Sequence, residues 1–280
     1  MTASAAAAAS PAHTPDSRYA WRRLGVTLLL MTIGNGGMYA VVTVLPTVQA
    51  EFGADRAGAS LPYTLLMIGF GLGGILMGRL ADRFGVFVPL LIGAASLLVG
   101  YVAAAQAQSV WTFALAHGLF VGVLGSSATF APLIADTSLW FEKRRGIAVG
   151  ICASGNYLAG ALWPPITQHF VEAFGWRATY VGAGVFCAVS IVALALLMRV
   201  RPPVAGAGPA ARSVPAGATV RDAARPFGLS PRSATALLCV AGVACCVAMS
   251  MPQVHIVALC TDLGLGTARG AQMLSVMLAF

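Results

Sequence analysis

Long runs of uncharged, apolar residues recur along this chain, and the short stretches between them sort their basic residues by side. A helix needs about 20 apolar residues to cross a hydrocarbon core of about 30 Å. Seven full-length runs and the start of an eighth can be read here. If the runs cross in turn, one side receives Arg18, Arg22, Arg23, Arg79, Arg83, Lys143, Arg144, Arg145, Arg199, Arg201, Arg212, Arg221, Arg225 and Arg232. The other side receives only Arg56, Arg177 and Arg269. Arginine and lysine are retained on the cytoplasmic side of membrane proteins. The expected fold class is therefore all-α: a polytopic membrane helix bundle with a cytoplasmic N-terminus and the lipid bilayer as its solvent.

Composition excludes the soluble alternatives. Mean hydropathy is +0.82 and charged residues make up 9% of the chain, against about 25% in a soluble domain. The net charge of +8 belongs to loops facing anionic headgroups, so no nucleic acid is expected as a partner. The cysteines, Cys152, Cys187, Cys239, Cys245, Cys246 and Cys260, have no metal-ligand spacing and read as small packing residues. Paired carboxylates and nucleophile–base pairs are missing from the runs. No enzyme, catalytic residue, metal or cofactor is expected. The Ala-rich start with Pro11 and Pro15 lacks a basic region before an apolar core, so it reads as a tail and not a signal peptide. Abundant Ala and Arg with the single lysine Lys143 suggest a GC-rich bacterial genome, and hence a bacterial inner membrane.

Four regions are expected: a disordered cytoplasmic tail over 1–23, six helices over 24–198, a cytoplasmic linker over 199–232, and two further helices beginning over 233–280. The first span is placed at 24–49. The linker holds six arginines and only Asp222 as an acid, with Pro202, Pro203, Pro209 and Pro215. That composition belongs to a linker. Six helices, a basic linker and more helices make the plan of a two-halved transporter. The eighth run starts near Arg269 and is too short to span by Phe280, so either the chain is truncated or the rest of a second half lies beyond these residues, and these 280 residues are not expected to transport alone.

Three motifs carry more specific information. Gly78-Arg79-Leu80-Ala81-Asp82-Arg83-Phe84-Gly85 joins the second and third runs and resembles the loop signature of the major facilitator superfamily, G-x-x-x-D-R-x-G. The resemblance makes Gly78, Asp82, Arg83 and Gly85 a gating loop that latches the inward side. Trp140-Phe141-Glu142-Lys143-Arg144-Arg145-Gly146-Ile147-Ala148-Val149-Gly150, with Ser154 and Gly155, resembles the fifth-helix signature of the monocarboxylate porters and their oxalate/formate relatives. Phe141, Lys143, Arg144, Arg145, Gly150 and Gly155 carry that likeness. Gly146, Gly150 and Ser154 recur every four residues, which predicts a close helix approach there. Asn35-Gly36-Gly37-Met38-Tyr39-Ala40 takes the place of the first-helix signature, with an uncharged Asn35 at its usually acidic position. Met251-Pro252-Gln253-Val254-His255 resembles the end of the seventh helix. Gly69-Phe70-Gly71-Leu72-Gly73-Gly74 matches G-x-G-x-x-G but lies inside an apolar run, where it signals helix packing and not a nucleotide.

Polar residues inside a membrane mark function. Thr32, Asn35, Tyr39 and Thr43 form one stripe of the first helix; Asn156, Gly160, Trp163 and Thr167 form one on the fifth. Interhelical hydrogen bonding explains such stripes as well as a cavity does. His117 reads as a packed or surface-facing residue and not as a ligand. The expected cavity residues are Asn35, Tyr39, Asn156, Trp163, Gln253 and His255. The resemblance implies a major facilitator fold and a secondary transporter of a small organic anion, monocarboxylate-like, with a coupled proton or counter-anion. Alternatives are an efflux exporter of an apolar drug or metabolite, and an inactive relative or membrane receptor.

Overall fold

The computed structural model describes residues 14–53, 56–202 and 230–279. The central linker therefore falls largely outside the described residues. All regular elements described are helical. Among the described residues, seven stretches are long and apolar enough to cross a membrane, in the order the apolar runs predict.

The first span is two helices, α1 (Arg18–Gly34) and α2 (Gly36–Phe52). Ser17 caps α1, its hydroxyl accepting from the Ala20 amide at 3.3 Å. Helix therefore starts six residues before position 24, and residues 18–23 are not part of a tail. The break falls at Asn35, with φ −89° and ψ 0°. Glycines on both sides weaken the helix at this point, and asparagine favours helix ends over interiors.

The second span, α3 (Arg56–Phe84), ends at Gly85, whose φ of +80° closes the helix as only glycine does without strain. The third is α4 (Phe87–Ala105). The fourth is irregular. It opens as α5 (Val110–Ala116) under a capping box of Ser109 and Thr112. It widens to a π-helix over His117–Gly125, tightens to a 3-10 turn over Ser126–Thr129, and resumes as α6 (Ala131–Trp140). Gly118, Gly122 and Gly125 weaken this middle, and Pro132 donates no amide. The fifth and sixth spans are α7 (Arg145–Phe174) and α8 (Trp176–Leu196). Then come α9 (Pro231–Asp262) and α10 (Thr267–Ala279).

The chain divides into two units, 1–203 with 256–280, and 204–255. In the second, the described part is the run of α9 up to residue 255, most of it exposed. In the first, glycines set the closest approaches. A Cβ on Gly69 or Gly73 would meet the backbone oxygens of Gly118 and Val123. From the other side, Gly118 and Gly122 face the backbone of Leu65 and Leu66. The G-x-G-x-x-G run is a packing surface, and the irregular fourth span is what it packs on. The close approach expected at Gly146, Gly150 and Ser154 does not occur among the described residues. Nothing lies within 4 Å of a Cβ on Gly146 or Gly150, and Ser154 is exposed. Gly155 makes the contact instead, 2.9 Å from Met31 Cβ and 3.1 Å from the Leu28 oxygen. The packing stripe runs through Gly155 and Gly160, on a different side of α7 from the four-residue repeat.

Candidate functional site

The break in the first span exposes backbone groups that a continuous helix would pair. In a bilayer these need partners from protein, because lipid offers none. Three other spans supply them. Trp163 Nε1 of α7 donates to the Thr32 oxygen at 2.9 Å. Ser126 Oγ of the fourth span donates to the Gly34 oxygen at 3.0 Å. Cys187 Sγ of α8 reaches the Ile33 oxygen at 3.7 Å. The carbonyls that end α1 are thus held from three sides. Space for this comes from the missing side chains: Gly36 lies against the Trp163 indole, Gly34 against Thr129, and Gly37 against Val121 and Tyr101.

The two predicted stripes meet at this break. Thr32 Oγ1 donates to the Leu28 and Gly155 oxygens, at 2.8 and 3.3 Å. Tyr39 packs on Gly160, whose Cβ would lie 2.9 Å from the ring. Asn156 stands beside the Tyr39 hydroxyl. Asn35, Tyr39 and Trp163 are buried, and Asn156 is half-buried. The stripes pack face to face, so much of their polarity serves helix-to-helix hydrogen bonding. Asn35 is the exception. It is 0% exposed, and neither amide atom has a hydrogen-bond partner among the described residues. Gln253 and His255 belong to the separate unit 204–255.

A second polar layer lies toward α4 and α8. Tyr101, His117 and Tyr180 are fully buried. His117 Nδ1 pairs with the Phe113 oxygen at 2.9 Å. Its Nε2, like the Tyr101 and Tyr180 hydroxyls, has no partner among the described residues. The rings stack edge-on, Tyr101 to Tyr180 at 5.3 Å and His117 to Tyr180 at 5.6 Å. Sequence reading left His117 either packed or surface-facing, and the structure buries it; the tyrosines were missed. Their partners are remote in sequence.

Sequence reading also missed a clasp at the end that holds the chain's start. Arg23 on α1 and Asp136 on α6 form an ion pair at 2.9 Å, with side chains 3% and 4% exposed. The Arg23 Nε adds a bond at 3.0 Å, and its guanidinium lies 4.9 Å from the Trp140 ring centroid. Asp136 and Trp140 are one helical turn apart, and that spacing was the available signal. Ahead of α1, Asp16 accepts from the backbone amides of Glu142 and Lys143 at 3.2 and 3.0 Å. The Lys143 amide, above all, holds the Asp16 carboxyl below the usual carboxylate range. Phe141 is buried edge-on to Trp21, ring centroids 5.1 Å apart. Arg145 Nε donates to the Phe141 oxygen at 3.1 Å. Lys143, Arg144 and Arg145 are exposed. At the opposite end, Glu51 accepts from Trp176 Nε1 at 2.7 Å and pairs with Arg177 at 2.6 Å.

In the turn between α3 and α4, Asp82 and Arg83 are exposed, and Arg83 lies 5.2 Å from the Phe84 ring centroid. Arg201 Nη2 approaches the Phe84 oxygen at 3.5 Å. Asp82 makes no hydrogen bond to the start of α4 among the described residues. Gly78 has nothing within 4 Å of a Cβ position.

The chain, with its basic turn after the second span, matches the family model of the Major Facilitator Superfamily over residues 27–280. The chain belongs to that superfamily. It is similar to the riboflavin transporter RibJ of Trypanosoma brucei brucei, 30% identical over 131 residues, 46% of this chain and 24% of that protein. It is similar to monocarboxylate transporter 3 of Mus musculus, 27% identical over 170 residues, 61% of this chain and 34% of that protein. The MFS-type transporter pynF of Aspergillus niger is 30% identical over 135 residues, 48% of this chain and 31% of that protein. The chain thus spans about a quarter to a third of the length of these relatives. The family and its transporter-named relatives indicate a transporter and not an enzyme.

Proposed function

We propose that this protein is a secondary active transporter of a small, monocarboxylate-like organic acid, working by alternating access in a bacterial inner membrane with its N-terminus cytoplasmic. The observation that carries the reading is the polar layer at the broken centre of the first span, where Asn35, Tyr39, Asn156 and Trp163 gather. Discontinuous helices near the midplane are where transporters bind their solutes. The fifth-helix motif and relatives named monocarboxylate transporters support the substrate class. A proton or counter-anion accompanies the acid. The turn with Gly78, Asp82, Arg83 and Gly85 gates the inward side.

Uptake of labelled pyruvate by cells expressing the gene tests the reading. Asn35→Ala and Asn156→Ala should each raise the apparent KM severalfold or abolish uptake with membrane levels unchanged. Uptake indistinguishable from that of vector-only cells, across a panel of short monocarboxylates, would sink it. A second reading is transport of an uncharged, planar solute. It is favoured by the relatives named riboflavin transporters, and by the lack of a cation beside Asn35 among the described residues. Riboflavin accumulation in the same cells, without pyruvate uptake, would select it.

A further inference from the structure

The first span changes character along its length. From Leu30 to Leu45 every residue but Ile33 is buried. The opening turns differ. Arg18, Arg22, Gly25 and Leu29 are exposed, and their helical spacing puts them on one stripe of α1. A Cβ on Gly25 would meet nothing within 4 Å, and Leu29 is 50% exposed. The stripe is flanked and not covered. On one flank Trp21 meets Phe141, ring centroids 5.1 Å apart, and the Leu28 oxygen lies against Gly155 of α7. On the other, the Ile33 oxygen faces Cys187 of α8. One leaflet contributes about 15 Å of hydrocarbon, and the open stripe runs about 16 Å at about 1.5 Å per residue. Its outer end is cationic. Arg18 and Arg22 stand one helical turn apart there. The fold brings Lys143 and Arg144 to the same corner, because Asp16, just ahead of α1, accepts from the Glu142 and Lys143 amides. Lys143, Arg144 and Arg145 are exposed. Arg18, Arg22 and these three bases face only Asp16 and Glu142 as acids at this corner, since Arg23 and Asp136 neutralise each other.

We propose that this corner is a binding site for an anionic phospholipid. The headgroup phosphate lies among Arg18, Arg22, Lys143 and Arg144, and an acyl chain lies along Gly25 and Leu29. Charge complementarity selects the anion, as basic clusters beside a membrane span attract acidic lipids. The stripe selects a lipid over a free phosphate, because an inorganic ion makes no use of an apolar track one leaflet deep below the cations. A lipid seated there braces the junction between the start of α1 and the turn from α6 to α7. The site is independent of which solute the protein carries.

Native mass spectrometry of the full-length protein, released from mixed phosphatidylglycerol and phosphatidylcholine, tests the site. Wild type should retain phosphatidylglycerol in preference to phosphatidylcholine. Arg18→Gln with Arg22→Gln should cut that retention at least about fivefold, the factor that one basic residue contributes near an anionic surface. Arg199→Gln with Arg201→Gln removes the same charge just after α8, where both are exposed, and should leave retention nearly unchanged. Gly25→Leu keeps every charge and fills the stripe, so it should also weaken retention, with its melting temperature close to wild type. Equal losses in the two double variants would overturn the site and leave only a general surface charge. Equal wild-type retention of the two lipids would overturn it as well. Undiminished retention in a folded Gly25→Leu, with inorganic phosphate displacing the lipid, would reduce the corner to a phosphate-binding cluster and overturn the lipid site.

Discussion

Arg23 and Asp136 show how much one residue pair carries at this end of the bundle. Both side chains are nearly inaccessible, so each charge depends on the other and on the Trp140 face. Removing one partner leaves an uncompensated buried charge, which costs about 3–5 kcal/mol, whereas replacing both by apolar residues of similar size is often near neutral. Asp136→Ala should therefore lower the melting temperature of the purified protein sharply. The double variant Arg23→Met with Asp136→Leu should recover most of the loss. Equal losses in the two would mean that the pair's geometry, and not its charge balance, holds the clasp. The sequence showed both residues as ordinary loop charges, because nothing local marks a contact across 113 positions. Asn35 was legible for the opposite reason: a polar residue among glycines in an apolar run is anomalous wherever it folds.

Between elements, the glycines of α3 sort by neighbour and not by motif. Gly73 lies against the backbone of Val123, whereas Gly71 has nothing within 4 Å. Gly73→Ala forces α3 away from the fourth span and should destabilise by about 1–3 kcal/mol. Gly71→Ala meets no obstacle and should be neutral or slightly stabilising through helix propensity. Thermal denaturation of both variants in one detergent decides the matter; equal shifts would show that the contact is not tight. The same contrast corrects the reading of α7, where Gly155 packs and Gly150 does not. A four-residue repeat of small residues says that a helix has a smooth face. Which face meets a neighbour depends on the rotation of the helix, and that is set by the whole bundle.

For the whole molecule, the sidedness of the basic residues predicts its orientation. Alkaline phosphatase fused after Pro202 should be inactive, and the same reporter fused after Gly175 should be active, because basic loops resist translocation. Activity at both points would sink the proposed topology. Span number, span order and superfamily were determined by the sequence itself, since bilayer thickness sets helix length and charge sets side, and both are counted residue by residue. Only the tertiary structure decided where the helices fail to be regular: the break at Asn35 and the π and 3-10 turns of the fourth span. An unwound backbone survives in lipid only when remote side chains pair its polar groups. Here Trp163, Ser126 and Cys187 do so from three other helices, and such partners exist only once the bundle has assembled.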